Sequence, residues 1–300
     1  MPAAGWSHPS RTVAVTGAGG FLGSRVARAF GESGWAVRRL SSAGPAPDTV
    51  PFHLGEPLDE SSLVGAHALV HCAYDFSPIR WEEVARVNVA GSSLLFSAAS
   101  RAGVTTIVEI SSISAFNGTR SRYGRAKLAT EHQALAHGGV VVRPGLIWDD
   151  AGAEPGGMFG SLAATVGNDS VVPLVGGGSQ LQHLVHVDDL TAMVVGLADG
   201  SIRPPREPIT AASPRPQTMR DLLAGMAATQ GRRPRFVPVP WRAVWLGLRA
   251  CEAVHLPTGY RSDSVVSLVK QDRSPDFGVA ERLGVRFRPY RLASAPRAGH

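Results

Sequence analysis

Short β-branched runs alternate along this chain with longer stretches in which apolar residues return every three or four positions. Thr12 to Thr16, Thr-Val-Ala-Val-Thr, reads as a strand. Phe21 to Glu32, where Leu22, Val26, Ala29 and Phe30 recur at helical spacing, reads as a helix. Ala36 to Leu40 supplies the next strand, after Gly34 closes that helix at its C′ position. Strands at Ala68 to His71, Thr105 to Ile110 and Val140 to Val142 then alternate with helices from Trp81 to Ala102 and from Ser121 to Ala136. This alternation predicts an α/β fold with a doubly wound parallel sheet of Rossmann type, covered by helices on both faces.

Beyond Pro144 the texture changes. Glycine and proline become frequent from Gly145 to Gly178, and Arg203 to Gln217 is rich in proline; helices follow at Met219 to Gln230 and Trp241 to Val254. The pattern predicts a smaller C-terminal substrate-binding region. The expected boundaries are a flexible N-terminus over 1–11, a nucleotide-binding domain over 12–150 with part of 180–212, a substrate region over 151–180 and 213–292, and a flexible tail over 293–300. In the last helix Trp241, Val244, Trp245 and Leu248 share one face, which is expected to pack in the core or, failing that, against another subunit.

Composition narrows the class. With 44% hydrophobic and 18% charged residues, and no uninterrupted apolar run near the roughly 18 residues of a membrane span, the expectation is a soluble cytoplasmic protein without a membrane partner. Met1 to Arg11 lacks the apolar core of a secretory signal, and Cys72 and Cys251 lie too far apart for a ligand cluster. The net charge of +6 raises nucleic acid as a partner. The arginines are scattered, however, the tightest groups being Arg38-Arg39 and Arg232 to Arg235, and no nucleic-acid motif accompanies them, so none is expected. His183 and His186 have no third ligand, which argues against a metal, and Asp188 and Asp189 read as capping or orienting the next helix.

Gly17, Gly20 and Gly23 occupy a Gly-x-x-Gly-x-x-Gly pattern between the first strand and first helix, with Phe21 and Leu22 completing the turn. Glycines there allow a sharp bend and a close approach of backbone to a pyrophosphate, which then faces the N–H groups of the helix. The second strand ends at Leu40-Ser41, where NAD-selective folds carry a carboxylate for the ribose 2′-hydroxyl. Ser41 beside Arg38 and Arg39 would instead accept a 2′-phosphate, so NADP is the preferred cofactor and NAD the alternative.

Lys127 is one of two lysines among 30 basic residues, and it follows Tyr123 by four positions, on the same helix face. Its ammonium is a compact point charge able to lie beside a phenol and a sugar hydroxyl, a task unsuited to a planar guanidinium.

Together these motifs resemble an extended short-chain dehydrogenase/reductase of the NAD(P)-dependent epimerase/dehydratase family, from about Thr12 to Leu197. Gly55-Glu56-Pro57-Leu58-Asp59 resembles the family's Gly-Asp-Leu segment, which implies Glu56 and Pro57 near the adenine. His71, Cys72 and Ala73 resemble the stretch that lines the cofactor ribose. Asn88-Val89-Ala90-Gly91 resembles Asn-Val-x-Gly, Arg143-Pro144-Gly145 the segment beside the nicotinamide, and His186-Val187-Asp188-Asp189 a Val-His-Val-Asp-Asp motif. Ser111 to Asn117 resembles Ser-Ser-x-x-Val-Tyr-Gly. Ser112 is its best match to the catalytic serine, with Ser111 at the cofactor and Ser111 or Ser114 as the alternative register; Asn117 in place of glycine is tolerable because Asn also visits left-handed backbone.

The resemblance implies that Tyr123 is the general acid or base at the reacting oxygen, that Ser112 hydrogen-bonds that oxygen, and that Lys127 holds the nicotinamide ribose. A free phenol, with a pKa of about 10, is a poor acid near neutrality, and a neighbouring cation lowers that value. The expected function is hydride transfer between nicotinamide and a carbonyl or secondary alcohol, as a ketoreductase on a nucleotide-sugar or related keto substrate. The alternatives are an NAD-dependent nucleotide-sugar 4-epimerase and a non-catalytic NAD(P)-binding sensor or scaffold. Ile113-Ser114 after Ser112 replaces the acidic pair of the family's dehydratases and disfavours dehydration. Gln180 to His183 lacks the arginine that nucleotide-sugar enzymes of the family often carry there, although Arg232 or Arg261 could meet a diphosphate. A homodimer is expected, through the helix Trp81 to Ala102 and the helix of Tyr123.

Overall fold

The computed structural model describes residues 11–42, 48–150, 157–256 and 260–291; the expected loose ends fall almost wholly outside them. In chain order, β1 (Thr12–Thr16), α1 (Phe21–Glu32), β2 (Ala36–Ser41), β3 (Thr49–Pro51) and β4 (Ala68–His71) lead into a long helix. That helix is interrupted: α2 (Trp81–Val84) passes through a π-helical turn, Ala85–Ala90, into α3 (Gly91–Arg101). There follow β5 (Thr106–Ile110), α4 (Arg122–Ala136), β6 (Val140–Pro144), β7 (Leu146–Trp148), α5 (Gly157–Asn168), β8 (Val171–Val175), β9 (Leu181–Gln182) and β10 (Leu184–His186). The chain continues with α6 (Val187–Asp199), β11 (Ile209–Ala211), β12 (Gln217–Thr218), α7 (Met219–Thr229), β13 (Arg235–Val239), α8 (Trp241–Ala253), α9 (Ser262–Val269) and α10 (Gly278–Arg282).

Seven strands form one parallel sheet in the order β11-β6-β5-β4-β1-β2-β3. Alternation along β1 distributes its side chains. Val13 and Val15 pack with Val26, Phe30, Leu190 and Val194 under α1 and α6, while Ala14 meets Leu69, Phe96 and Val141 under α3 and α4. Burial on both faces explains why the strands read as continuous apolar runs. Strand order reverses between β1 and β4, and ligands of such sheets bind at the C-terminal strand ends beside that reversal.

Three two-stranded sheets, β7 with β10, β9 with β12 and β8 with β13, stand apart from the main sheet. A separate core of Trp148, Phe159, Val166, Leu174, Leu222 and Met226 holds α5 and α7 against them. Two expectations change here. The stripe on α8 is not core, because no residue of that helix is fully buried. The cap of α6 is the His186 imidazole, which accepts from the Asp188 N–H at 3.2 Å, while Asp189 binds Arg288 at 2.7 Å and ties down the C-terminal segment. Among the described residues no helix is long and apolar enough to cross a membrane.

Candidate active site

The turn after β1 is closed by backbone. Gly20 N–H donates to Gly17 O at 2.9 Å and Ala18 N–H to Leu40 O at 3.2 Å, which fixes the turn against the end of β2. Gly17 has φ +66°, and a Cβ on Gly23 would lie 2.1 Å from Gly17 O, so the helix meets the turn at a distance only glycine permits. At the start of α1, Gly20 offers no side-chain cap and the first turn holds no acidic residue. These N–H groups form a cradle that fits the pyrophosphate of a dinucleotide.

A buried hydrogen-bond chain braces the cradle. Thr16 Oγ1 accepts from Cys72 N–H and Ala73 N–H at 3.2 Å and lies 2.7 Å from His71 Nδ1; His71 Nε2 lies 2.8 Å from Ser92 Oγ, which donates to Asn88 O at 2.6 Å. A neutral imidazole with its proton on Nε2 satisfies every partner. Burial first, and then the charge of Lys127, hold His71 well below the ordinary histidine range. The Cys72 thiol is pushed up to about 12, chiefly by burial. Asn88, itself buried on the π-turn, accepts from Asp75 N–H at 2.8 Å and donates to Asp75 O at 3.0 Å, pinning the loop that carries Tyr74 and Phe76.

The proposed 2′-phosphate site differs from its expected form. Arg38 donates to Ser62 O at 2.6 Å and Val64 O at 3.1 Å, so its guanidinium braces a loop on the other side of β2. The Arg39 guanidinium makes no hydrogen bond or ion pair among the described residues, and the residue falls on the same strand face as Ser41. Glu56 and Pro57 are exposed, and the Glu56 carboxylate lies 3.7 Å from His53.

At the ends of β5 and α4 the structure brings Ser112 and Tyr123 to one cavity of about 390 Å³, whose wall also includes Pro144 and Gly145. Asp263 positions the start of α4 by accepting from Arg122 N–H at 2.8 Å and Tyr123 N–H at 2.9 Å, a carboxylate at a helix N-terminus. Gly124 lets α4 press on the serine loop, since a Cβ there would lie 2.4 Å from Ser114 O. The Tyr123 ring stacks on Phe76 at 5.7 Å and meets Tyr74 edge-on at 4.9 Å. Ser112 Oγ accepts from Ser114 N–H at 3.1 Å.

Lys127 is buried one turn along α4. Its ammonium donates to Glu109 Oε1 at 3.0 Å and Ile110 O at 2.6 Å. Burial opposes its charge, but Glu109 and then Tyr123 outweigh it and hold the ammonium above the ordinary lysine range. Burial also raises the Glu109 carboxyl, against the pull of Lys127. An ammonium has three donors, so one is left for a ligand hydroxyl.

Three expectations are corrected on geometry. The Ser111 hydroxyl turns away from the cavity to donate to Glu131 Oε1 at 2.5 Å. Arg143 is held by the same carboxylate, at 2.8 Å and 2.5 Å, and reaches a different hollow shared with Asn117. Positive φ falls at Gly118, not at Asn117. The sequence reading also missed Glu109, Glu131 and Asp263. A carboxylate on a buried strand facing the one lysine of a Tyr-x-x-x-Lys helix is the signal that could have found Glu109; Asp263, 140 residues from Tyr123, gave none. Among the described residues no group of three or more His, Cys, Asp or Glu could hold a metal ion.

The chain matches the model of the NAD dependent epimerase/dehydratase family over residues 13–205. It is 29% identical over 245 residues to a ceramide reductase of Caulobacter vibrioides (strain NA1000 / CB15N), spanning 76% of this chain and 73% of that protein. Its fold is similar to that of the dTDP-glucose 4,6-dehydratase DesIV from Streptomyces venezuelae, solved with NAD bound, at TM-score 0.69, 19% identity and 93% of each chain. A UDP-glucose 4-epimerase of Thermotoga maritima superposes at TM-score 0.62, with 21% identity over 76% of this chain and 85% of that one.

Proposed function

The chain belongs to the NAD-dependent epimerase/dehydratase family of extended short-chain dehydrogenases/reductases, and from that premise we propose that it is an NAD(P)-dependent ketoreductase acting on an apolar, lipid-like ketone. One observation carries the substrate class. The cavity's only cations among the described residues, Arg122 and Arg261, are both engaged by protein. Arg122 is held by Asp263 at 3.3 Å, by Ile79 O and by Glu252 at 4.0 Å; Arg261 donates to Pro78 O at 3.0 Å and Ser77 O at 3.1 Å. A diphosphate depends on available guanidinium or ammonium donors, and this wall offers Tyr74, Phe76, Ile113, Leu146, Met158 and Leu268 instead. The Caulobacter relative, a ceramide reductase, agrees with a lipid substrate.

A bound NAD(P)H supplies the hydride for such a reduction. Tyr123 donates its phenolic proton to the carbonyl oxygen as that oxygen gains charge, and Ser112 Oγ–H holds the same oxygen. Lys127, fixed by Glu109 and Ile110 O, presents its remaining N–H toward the ribose. The product is the secondary alcohol. With no carboxylate at Ser41 and with Arg39 on the same face, NADP is the preferred cofactor. The enzyme acts in the cytoplasm, in keeping with two free cysteines, as a homodimer in which exposed Leu94 on α3 contributes to the contact.

The test is NADPH oxidation by purified protein with a long-chain β-keto amide and with a nucleotide 4-keto-sugar. Turnover of the keto amide alone supports the reading. Turnover of the keto-sugar alone, or tightly retained NAD with interconversion of sugar epimers, refutes it in favour of the 4-epimerase alternative.

A further inference from the structure

Helix α8 is amphipathic in an unusual sense. Its inner face, Trp241, Val244, Trp245, Leu248, Cys251 and Glu252, is half-buried. Its outer face carries Ala243, Leu246, Gly247, Ala250, Ala253 and Val254, all exposed, with Leu246 at 64% and Val254 at 73%; Leu256, just beyond, is 56% exposed. An outward helix face ordinarily carries charge of both signs, whereas here the exposed charge is Arg242 and Arg249 alone and no acidic residue of the helix is exposed.

Cations flank it. The Arg242 guanidinium lies 5.6 Å from the Trp241 ring centre, Lys270 lies 5.6 Å from the same ring, and Arg249 lies 5.8 Å from Trp245. The single acidic residue of the helix, Glu252, is turned inward, accepting from Ser262 N–H at 2.8 Å and Ser262 Oγ at 2.9 Å. We infer that the outer face of α8, with Leu256, docks on the surface of an anionic lipid bilayer. Apolar side chains enter the headgroup boundary, while Arg242, Arg249 and Lys270 meet lipid phosphates. A second copy of the chain is the weaker occupant. A two-fold contact sets a patch against itself, and here that would bring arginines together with no exposed carboxylate of the helix among the described residues to pair them. The early expectation of no membrane partner rested on the absence of a spanning segment, which does not bear on a helix lying in the interface.

The inference stands on the helix face and not on the substrate reading. Helix α9 nevertheless packs against α8 and also lines the cavity, through Ser264, Ser267 and Leu268. Docking therefore brings the proposed lipid site close to its supply.

The experiment is co-sedimentation of the full chain with vesicles of phosphatidylglycerol and phosphatidylcholine, and with vesicles of phosphatidylcholine alone, alongside analytical ultracentrifugation without lipid. Binding to the anionic vesicles is expected, at least tenfold weaker for Leu246→Glu/Val254→Glu. Arg242→Gln/Arg249→Gln should bind about thirty-fold more weakly at low salt, at about 1 kcal/mol per cation. All variants change exposed positions and should keep wild-type melting temperatures and turnover of a short soluble ketone. Absence of binding to anionic vesicles overturns the proposal, as does equal binding by Leu246→Glu/Val254→Glu. A dimer that this variant converts to monomer, without vesicle binding by the wild type, overturns it in favour of a subunit contact.

Discussion

Replacing Glu109 by Gln removes one charge from a pair in which Glu109 is 0% and Lys127 3% exposed, while keeping an oxygen for the ammonium and for Thr130, whose hydroxyl donates to Glu109 at 3.1 Å. At the observed 3.0 Å separation, an effective dielectric near 20 gives an attraction of about 5–6 kcal/mol. Much of that offsets desolvation of the two ions, so the pair adds little to stability against an apolar substitute. Losing one member strands the other, however, at a cost of about 3–5 kcal/mol. Urea denaturation should show that loss for Glu109→Gln at neutral pH. The double variant Glu109→Gln/Lys127→Met should lose at least about 1 kcal/mol less than the sum of the two single variants. The pH dependence gives a second reading. In the wild type the Lys127 value is raised above 10.5, so its contribution is complete below 10.5 and is lost as pH climbs through the raised value. In Glu109→Gln burial is opposed only by Tyr123 and Cys72 and is expected to lower that value, so stability rises with pH toward 10.5. Below pH 10.5 the variant should therefore gain stability with pH while the Lys127 contribution in the wild type stays level, and above 10.5 that of the wild type alone should fall. A Glu109→Gln protein within about 1 kcal/mol of wild type, with no coupling in the cycle, would mean that Glu109 does not hold the ammonium, and the account of Lys127 would fail.

Tyr123→Phe should abolish ketone reduction while leaving NADPH affinity within about twofold by fluorescence titration; retained turnover would remove the phenol from the chemistry. Gly124→Ala places a methyl 2.4 Å from Ser114 O, and we expect a loss of about 1–3 kcal/mol in denaturation together with a fall in kcat of about a hundredfold, because Tyr123 shifts with the helix start. His71 is held neutral, so its contribution is complete above 6.5 and is lost as pH falls, at up to about 1.4 kcal/mol per unit until the folded-state value is reached. A flat stability profile between pH 6.5 and 5 would contradict the buried neutral imidazole.

What could be read from the sequence was what is local in the chain. Five-residue β-branched runs, a glycine turn with the helix after it, and a tyrosine four residues before a rare lysine are short-range patterns, and the parallel sheet follows from their order except for its three-residue edge strands β3 and β11, which are too short to show a pattern. Partner choice across the sheet is another matter. Glu109 looked like any strand residue until β5 met α4, and Asp263 reaches Tyr123 only because α9 returns to the cavity rim. Arg38 shows the converse error. Beside Ser41 it looked available to a phosphate, yet alternation along β2 sends it to the opposite face from Arg39 and Ser41, where two carbonyls claim it. The same period-of-two rule, applied to Arg38-Arg39-Leu40-Ser41 at the outset, would have kept Arg39 as the candidate and discarded its neighbour. Charge near a site in sequence therefore says little about specificity until the face is assigned, and in this chain Arg122 and Arg261 carry the point further. Both arginines reach the cavity and both are bound to protein there, Arg122 by the Asp263 carboxylate and Arg261 by two backbone carbonyls, so their availability to a ligand follows from these partners and not from their place in the chain.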